Sequence, residues 1–169
     1  MMIKTFCNAF KGKKNQPALI VKTSSATFSI MDRNDMISRI KDIKESVGDG
    51  CPNIYLIHGD LTVQEMNGLY NHPKVKAMVN LTKGEGFGRP LLEFSLVKKP
   101  IITTNWSGHI DYLDGEFVSL VGGEVKPVHA SAVIPNMILA ESSWFSPDLG
   151  YVGHYLKDVF ENYKKYSEN

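Results

Sequence analysis

The apolar residues of this chain fall into short runs and helical stripes that alternate along it. Ile3, Phe6 and Phe10 recur at helical spacing, which predicts an opening helix. After a polar stretch over residues 11–16, Pro17 introduces the apolar run 18–23, which reads as a buried strand. A polar Ser/Thr region follows. Met36, Ile40, Ile43 and Val47 then share one helical face over residues 32–47, with Asp32 or Asn34 as the expected cap and Gly48 as the expected stop. Residues 53–58 read as the next strand. Thr62 with Glu65 forms a capping-box pattern for a helix ending near Tyr70.

The same alternation continues. Residues 77–82 read as a strand, 84–88 as a glycine-rich turn, and Pro90 suits the start of a helix carrying Leu91, Leu92, Phe94 and Val97. Residues 100–104 predict a strand, followed by a loop over 105–109 and a short helix near Tyr112. Short strands are expected over 117–121 and 125–128. Trp144 and Phe145, just before Pro147, read as a packing anchor for one continuous helix over 150–166. On that helix Val152, Tyr155, Val159 and Tyr163 form a stripe that Leu156 and Phe160 widen. Strands alternating with helices imply an α/β domain with a mainly parallel sheet. Ligands of such sheets bind outside the carboxyl ends of the strands, so the loops after Val21, Ile57, Leu81 and Thr103 are where chemistry is expected.

Length and composition narrow the classes. The 169 residues suit one domain, 1–169, and the 43% hydrophobic and 22% charged fractions are those of a globular chain. Lys and Arg total 19 against 18 Asp and Glu, so no basic excess favours nucleic acid or an anionic membrane. Lys11, Lys13 and Lys14 form the dense basic cluster, read as a solvated helix end. The two cysteines, Cys7 and Cys51, are too few for a disulfide framework or a Cys-rich zinc site and read as single buried thiols in a reducing compartment. No apolar run nears the roughly 18 residues that span a bilayer, and the N-terminus lacks a signal-peptide pattern. The expected location is the cytoplasm.

The segment richest in chemistry is residues 83–93, Lys-Gly-Glu-Gly-Phe-Gly-Arg-Pro-Leu-Leu-Glu. It follows a strand and opens a helix. Gly84, Gly86 and Gly88 allow a sharp turn and close backbone approach to a ligand. Free amides at such a turn suit a phosphate or diphosphate. Glu85 and Glu93 would repel a phosphate, so they are better placed to grip hydroxyls. Amides for phosphate with carboxylates for hydroxyls describe a site for a nucleotide carrying a sugar. The Glu-x7-Glu spacing alone is weak evidence, because Glu116 and Glu124 repeat it in a segment that reads as strand and turn. Context distinguishes the first pair.

Residues 85–93 resemble the signature of retaining glycosyltransferases of the GT-B fold, the group that includes sucrose and glycogen synthases. Residues 61–70 resemble the helix preceding that signature, and residues 100–109, Pro-Ile-Ile-Thr-Thr-Asn-Trp-Ser-Gly-His, the strand and Ser-Gly loop that follow it. The continuous likeness covers about residues 53–113. The resemblance implies a Rossmann-like, three-layer α/β/α donor domain, one half of a GT-B fold. It implies transfer of a hexose from a UDP- or GDP-linked donor with retention at the anomeric carbon and no metal ion or other cofactor. Glu85 would contact donor-sugar hydroxyls as the catalytic carboxylate, and Glu93 would hold the ribose. Amides around Gly86, Phe87, Gly88 and Leu91 would face the sugar and diphosphate, and the loop from Gly59 to Leu61 would border the base. Trp106, Ser107 and His109 are candidates for the acceptor side or a phosphate.

The same resemblance implies what is missing. The acceptor domain of the family precedes the donor domain, and the first donor-domain strand carries an Arg and Lys that clamp the diphosphate. This sequence resembles the family from the helix after that loop. Lys22 and Arg89 are basic residues on the expected edge, and neither matches the missing pair by position. The chain alone is therefore expected to be inactive. A non-catalytic nucleotide-sugar-binding module is the alternative, and a nucleotide-sugar epimerase a third. An absent strand also leaves a sheet edge uncovered, which predicts self-association. His58 is read as more structural than functional, and His72, His129 and His154 lack metal-ligand spacing.

Overall fold

The computed structural model describes residues 1–23, 29–113 and 115–167. The Ser/Thr region expected after the first strand lies, over residues 24–28, outside them. The chain forms two compact units, Met1–Val75 and Lys76–Asn169.

The first unit runs α1 (Met2–Phe10), β1 (Leu19–Thr23), α2 (Ile30–Val47), β2 (Ile54–His58), α3 (Val63–Asn71). Phe6, Cys7, Ala9 and Phe10 bury one face of α1, and the Phe6 and Phe10 rings lie 5.0 Å apart, as helical spacing requires. Helix α2 starts earlier than its apolar stripe suggests. Ser29, not Asp32 or Asn34, is the cap; its hydroxyl accepts from the Asp32 N–H while the Asp32 carboxylate accepts from the Ser29 N–H. Gly48 ends the helix as expected. Thr62 and Glu65 make the expected capping box on α3, and the two bonds from Thr62 hold the Glu65 carboxyl below its usual range.

Strands β1 and β2 pair in parallel, Leu19 opposite Ile54 and Thr23 opposite His58. The Leu19 N–H reaches the Asn53 carbonyl and the Thr23 carbonyl accepts from Gly59, so Leu19, Val21 and Thr23 turn their backbone groups toward β2. The intervening Ile20 and Lys22 turn theirs to the other side, where they have no strand partner among the described residues.

The second unit contains β3 (Met78–Asn80), α4 (Arg89–Ser95), β4 (Ile101–Thr104), a 3-10 turn at Gly108–Asp111, β5 (Val118–Val121), β6 (Gly123–Pro127), a second 3-10 turn at Ala130–Ala132, β7 (Ser143–Pro147), α5 (Leu149–Glu161) and α6 (Tyr163–Ser167). Its parallel sheet has the order β3-β4-β5. All four residues of the central β4 are buried, the pattern of a strand covered on both faces. Helix α5 packs on β4 and β5 and buries Val152, Leu156 and Val159. Thus the α/β class and mostly parallel pairing hold.

Two features depart from the periodicity. Residues 143–147 form β7, antiparallel to β6, rather than only an anchor for the last helix. The terminal helix is also broken at Asn162, where the backbone leaves the helical region at φ −116, ψ 33; its side-chain amide donates to the Asp158 carboxylate at 2.7 Å. The break lets the Tyr166 hydroxyl donate to the same Asp158 carboxylate. That bond, with Asn162, lowers the Asp158 pKa, while burial and the Asp158 partner push Tyr166 up to about 12.

Candidate functional site

The turn over residues 84–88 hangs between the end of β3 and the start of α4, and the loop after β4 clamps it. The Ser107 hydroxyl donates to the Glu85 carbonyl at 2.7 Å and accepts from the Glu85 N–H at 3.1 Å. The Gly108 N–H donates to that carbonyl at 3.0 Å. The Tyr112 hydroxyl sits on the carbonyls of Phe87 and Gly88 at 2.6 and 2.8 Å. Burial first and the neighbouring Glu85 charge second raise the Tyr112 pKa, which keeps it a donor. Thr82 bonds both to the N–H and to the carbonyl of Gly84.

The consequence is an imbalance of backbone groups. The carbonyls of Glu85, Phe87 and Gly88 are taken by Ser107, Gly108 and Tyr112. The N–H groups of Gly86, Phe87, Gly88 and Arg89 have no hydrogen-bond partner among the described residues. Gly86, Phe87 and Arg89 are exposed. A turn that hides acceptors and leaves donors is suited to an anion. Leu91 differs: it is fully buried and its N–H is bonded to the Gly88 carbonyl at 2.8 Å.

The glycines separate by purpose. Gly88 has φ +77, and a Cβ there would meet the Tyr112 hydroxyl at 2.9 Å and Glu85 Cγ at 3.0 Å. A Cβ on Gly108 would lie 2.0 Å from the Gly86 carbonyl oxygen. Both positions require glycine for the fold of the loop. Gly84 and Gly86 have neither positive φ nor any atom within 4 Å of a Cβ. The chain itself gives no steric reason for glycine at either.

Of the two carboxylates, Glu85 is half-buried on the turn and Glu93 lies on α4, where its Oε1 is paired with Arg89 Nε at 2.6 Å. Both partners are substantially solvent-accessible, so the pair is worth at most about 1 kcal/mol and is open to competition. Ser107 itself is held at φ 84, ψ −174, a conformation nearly confined to glycine. His109 is wholly buried; its Nε2 donates to the Thr104 carbonyl at 2.7 Å, and its Nδ1 is buried with no hydrogen-bond partner among the described residues. Trp106 is 43% exposed and stacks on Phe145 at 5.7 Å with the rings nearly parallel.

Lys83, which opens the glycine-rich segment without an assigned role, and Trp144 and Phe145, expected only as a packing anchor, also border the turn. Lys83 accepts from the Phe145 N–H through its carbonyl and places Nζ 3.1 Å from the centre of the Trp144 ring; burial lowers its pKa. The strand β7 brings Trp144 and Phe145 there, and no local periodicity announces it. Gly59 and Leu61 belong to the first unit, where Gly59 follows β2 with φ +102. Lys22 is an exposed residue of β1 in the same unit. His58 closes β2 with a buried Nε2 that has no hydrogen-bond partner among the described residues. A shallow open hollow lined by Asp148, Gly150, Tyr151 and His154 includes none of the signature residues. Among the described residues, no group of three or more His, Cys, Asp or Glu is arranged to hold a metal, and no helix is long and apolar enough to cross a membrane. No protein-family model and no curated protein matches the chain.

Proposed function

We propose that the second unit binds the diphosphate and sugar of a nucleotide-linked hexose, as the donor domain of a cytoplasmic retaining glycosyltransferase of the GT-B type. One observation carries this reading: the turn beside Glu85 spends its carbonyls internally and leaves the amides of Gly86, Phe87, Gly88 and Arg89 unbonded. Diphosphate oxygens are strong acceptors that would satisfy those donors. Glu85 accepts from the hydroxyls of the donor hexose. Glu93 accepts from the ribose, exchanging its contact with Arg89 for two neutral hydroxyls and freeing the guanidinium for the phosphates.

In such a site the chemistry is electrostatic. Negative charge grows on the diphosphate as the glycosidic bond breaks, and preorganised amides stabilise it without reorganising. The acceptor enters on the same face, which retains the anomeric configuration. A separate acceptor domain would complete the enzyme, and Trp106 offers that side a flat aromatic face. No metal ion is required by this reading.

A second reading, a module that binds the nucleotide sugar without turnover, draws support from the Arg89–Glu93 pair, which engages the carboxylate assigned to the ribose.

The test is calorimetric titration of the chain with UDP, GDP and ADP and their glucose or mannose conjugates. Gly86→Ala is the informative variant, because its Cβ meets nothing in the protein. The expected result is binding of one nucleotide series, weakened at least tenfold by Gly86→Ala and by Glu93→Ala, with unfolding midpoints unchanged. Binding that survives Gly86→Ala unaltered, or no binding of any nucleotide, overturns the reading. Turnover with a complementing acceptor domain separates the enzyme from the silent module.

A further inference from the structure

The first unit brings together two thiols that have no part in the nucleotide site. Cys7 lies on the buried face of α1 with no solvent exposure. Cys51 is half-buried in the loop between α2 and β2, its Sγ 3.1 Å from the Gly48 carbonyl. The end of α1 is tied to that loop by several bonds. The Gly12 N–H donates to the Gly50 carbonyl at 3.0 Å, and Gln16 Nε2 donates to both Phe10 and Gly50 carbonyls at 2.6 and 2.8 Å. Lys11 Nζ caps the Val47 carbonyl. The backbones touch: a Cβ on Gly50 would lie 3.2 Å from the Gly12 nitrogen. Within this seam the Cys7 thiol has the Cys51 thiol as a hydrogen-bond partner. The expectation of two separate thiols is thereby corrected to a pair.

We propose that Cys7 and Cys51 are a thiol-exchange site that closes into a reversible intramolecular disulfide on reaction with low-molecular-weight disulfides. The order of events follows from access. Cys51 is the thiol solvent can reach, so it is the sulfur an external disulfide meets first; its thiolate, formed by loss of the thiol proton to solvent, attacks one sulfur of that disulfide. That S–S bond breaks, a mixed disulfide forms on Cys51, and one external thiolate leaves and takes up a proton. Cys7 then gives up its proton and attacks Cys51 Sγ. The mixed disulfide breaks and the second external thiolate departs. Two protein thiols are oxidised to one disulfide and one external disulfide is reduced to two thiols.

Burial first, and the Cys51 neighbour next, hold the Cys7 thiol up at about 11, with the Lys44 charge opposing them. Cys7 is therefore a poor first nucleophile. It is a good resolving thiol, because its target already sits beside it. The bridge would join α1 to the loop after α2 and enclose β1 and α2, restricting the unfolded chain.

The experiment uses the full chain, reduced and then incubated with oxidised glutathione. The expected wild-type product is a monomer lighter by two hydrogens, carrying no glutathione. In urea, neither of its thiols reacts with maleimide until dithiothreitol is added, and its unfolding midpoint is raised. Cys7→Ser is expected to stop at the glutathione adduct on Cys51, and Cys51→Ser to stay unmodified while folded. If the Cys7→Ser protein does not fold, the wild-type mass and the Cys51→Ser result decide. Retained glutathione on the wild type, maleimide-reactive thiols after oxidation, or a bridge between two chains overturns the proposal.

Discussion

Ser107 is the residue on which the geometry of the candidate site most directly depends, and its two small substitutions should rank in the reverse of their usual order. The backbone there has φ 84 and ψ −174, where a Cβ costs about 1–3 kcal/mol. The hydroxyl offsets that strain with bonds to the Glu85 carbonyl at 2.7 Å and from the Glu85 N–H at 3.1 Å. Ser107→Ala keeps the strain and loses both bonds. The Glu85 carbonyl retains the Gly108 N–H, but the Glu85 N–H is left part-buried and unpaired, a loss of about 2 kcal/mol. Ser107→Gly loses the same bonds and relieves the strain, less about 0.5–1 kcal/mol for the freer unfolded chain. Glycine should therefore be more stable than alanine by roughly 1 kcal/mol, whereas at ordinary dihedrals alanine wins by about 0.4–1 kcal/mol. Urea unfolding followed by far-UV circular dichroism gives the ranking. Hydrogen exchange of the Glu85 amide gives the local effect, an acceleration of about 30-fold in Ser107→Ala if 2 kcal/mol of protection is lost. An alanine variant as stable as the glycine variant, or an unchanged Glu85 exchange rate, would refute the argument.

Three further outcomes test other parts of the fold. Ile20 points its N–H away from β2 and Val21 points toward it, so Ile20→Pro should leave the unfolding midpoint nearly unchanged while Val21→Pro costs about 3 kcal/mol. If the open side of β1 pairs with a second copy, light scattering should show concentration-dependent association of the wild type that Ile20→Pro abolishes; association insensitive to Ile20→Pro places the contact elsewhere. Tyr166→Phe should cost about 1 kcal/mol near neutral pH by removing the bond to Asp158. The Asp158 pKa is depressed from 3.8, so its share is present above that value and lost as pH falls through the folded one; Tyr166 is raised from 10.0 to about 12, so its share is present below pH 10 and lost toward 12. The gap between wild type and variant, read from urea curves across pH, should close on both limbs, and a gap constant from acid to neutral pH contradicts the assignment.

Elements with strong local signals were legible from the chain alone. Three apolar residues at helical spacing suffice for α1, and the Thr62–Glu65 box and Pro90 mark helix starts because the groups involved lie within one turn. Ser29 was hidden as a cap because several hydroxyl residues precede α2 and only backbone geometry selects among them. The strand β7 was hidden because Trp144 and Phe145 are too short a run to show a period; its identity comes from pairing with β6. At the candidate site, the glycine-rich turn between a strand and a helix could be read. Its supports could not. Ser107 at positive φ, the Tyr112 hydroxyl on two carbonyls and the Lys83 contact with Trp144 are long-range placements that no window of sequence contains. The division of labour among Gly84, Gly86, Gly88 and Gly108 likewise depends on what each missing Cβ would meet.

The placement of the indoles has an optical consequence. The sequence holds two tryptophans, Trp106 and Trp144. Trp106 precedes the serine that clamps Glu85 and lies flat on Phe145; Trp144 lies under the ammonium of Lys83, the residue that leads into the glycine turn. All of the protein's indole emission therefore originates beside one loop. A nearby cation shifts an indole's emission, so drawing Lys83 toward an anion would alter the colour of Trp144, and a ring laid on Trp106 would change its brightness. The unlabelled protein thus carries its own reporter of whatever enters the turn, and emission recorded during a titration would distinguish a ligand seated there from one bound anywhere else on the chain.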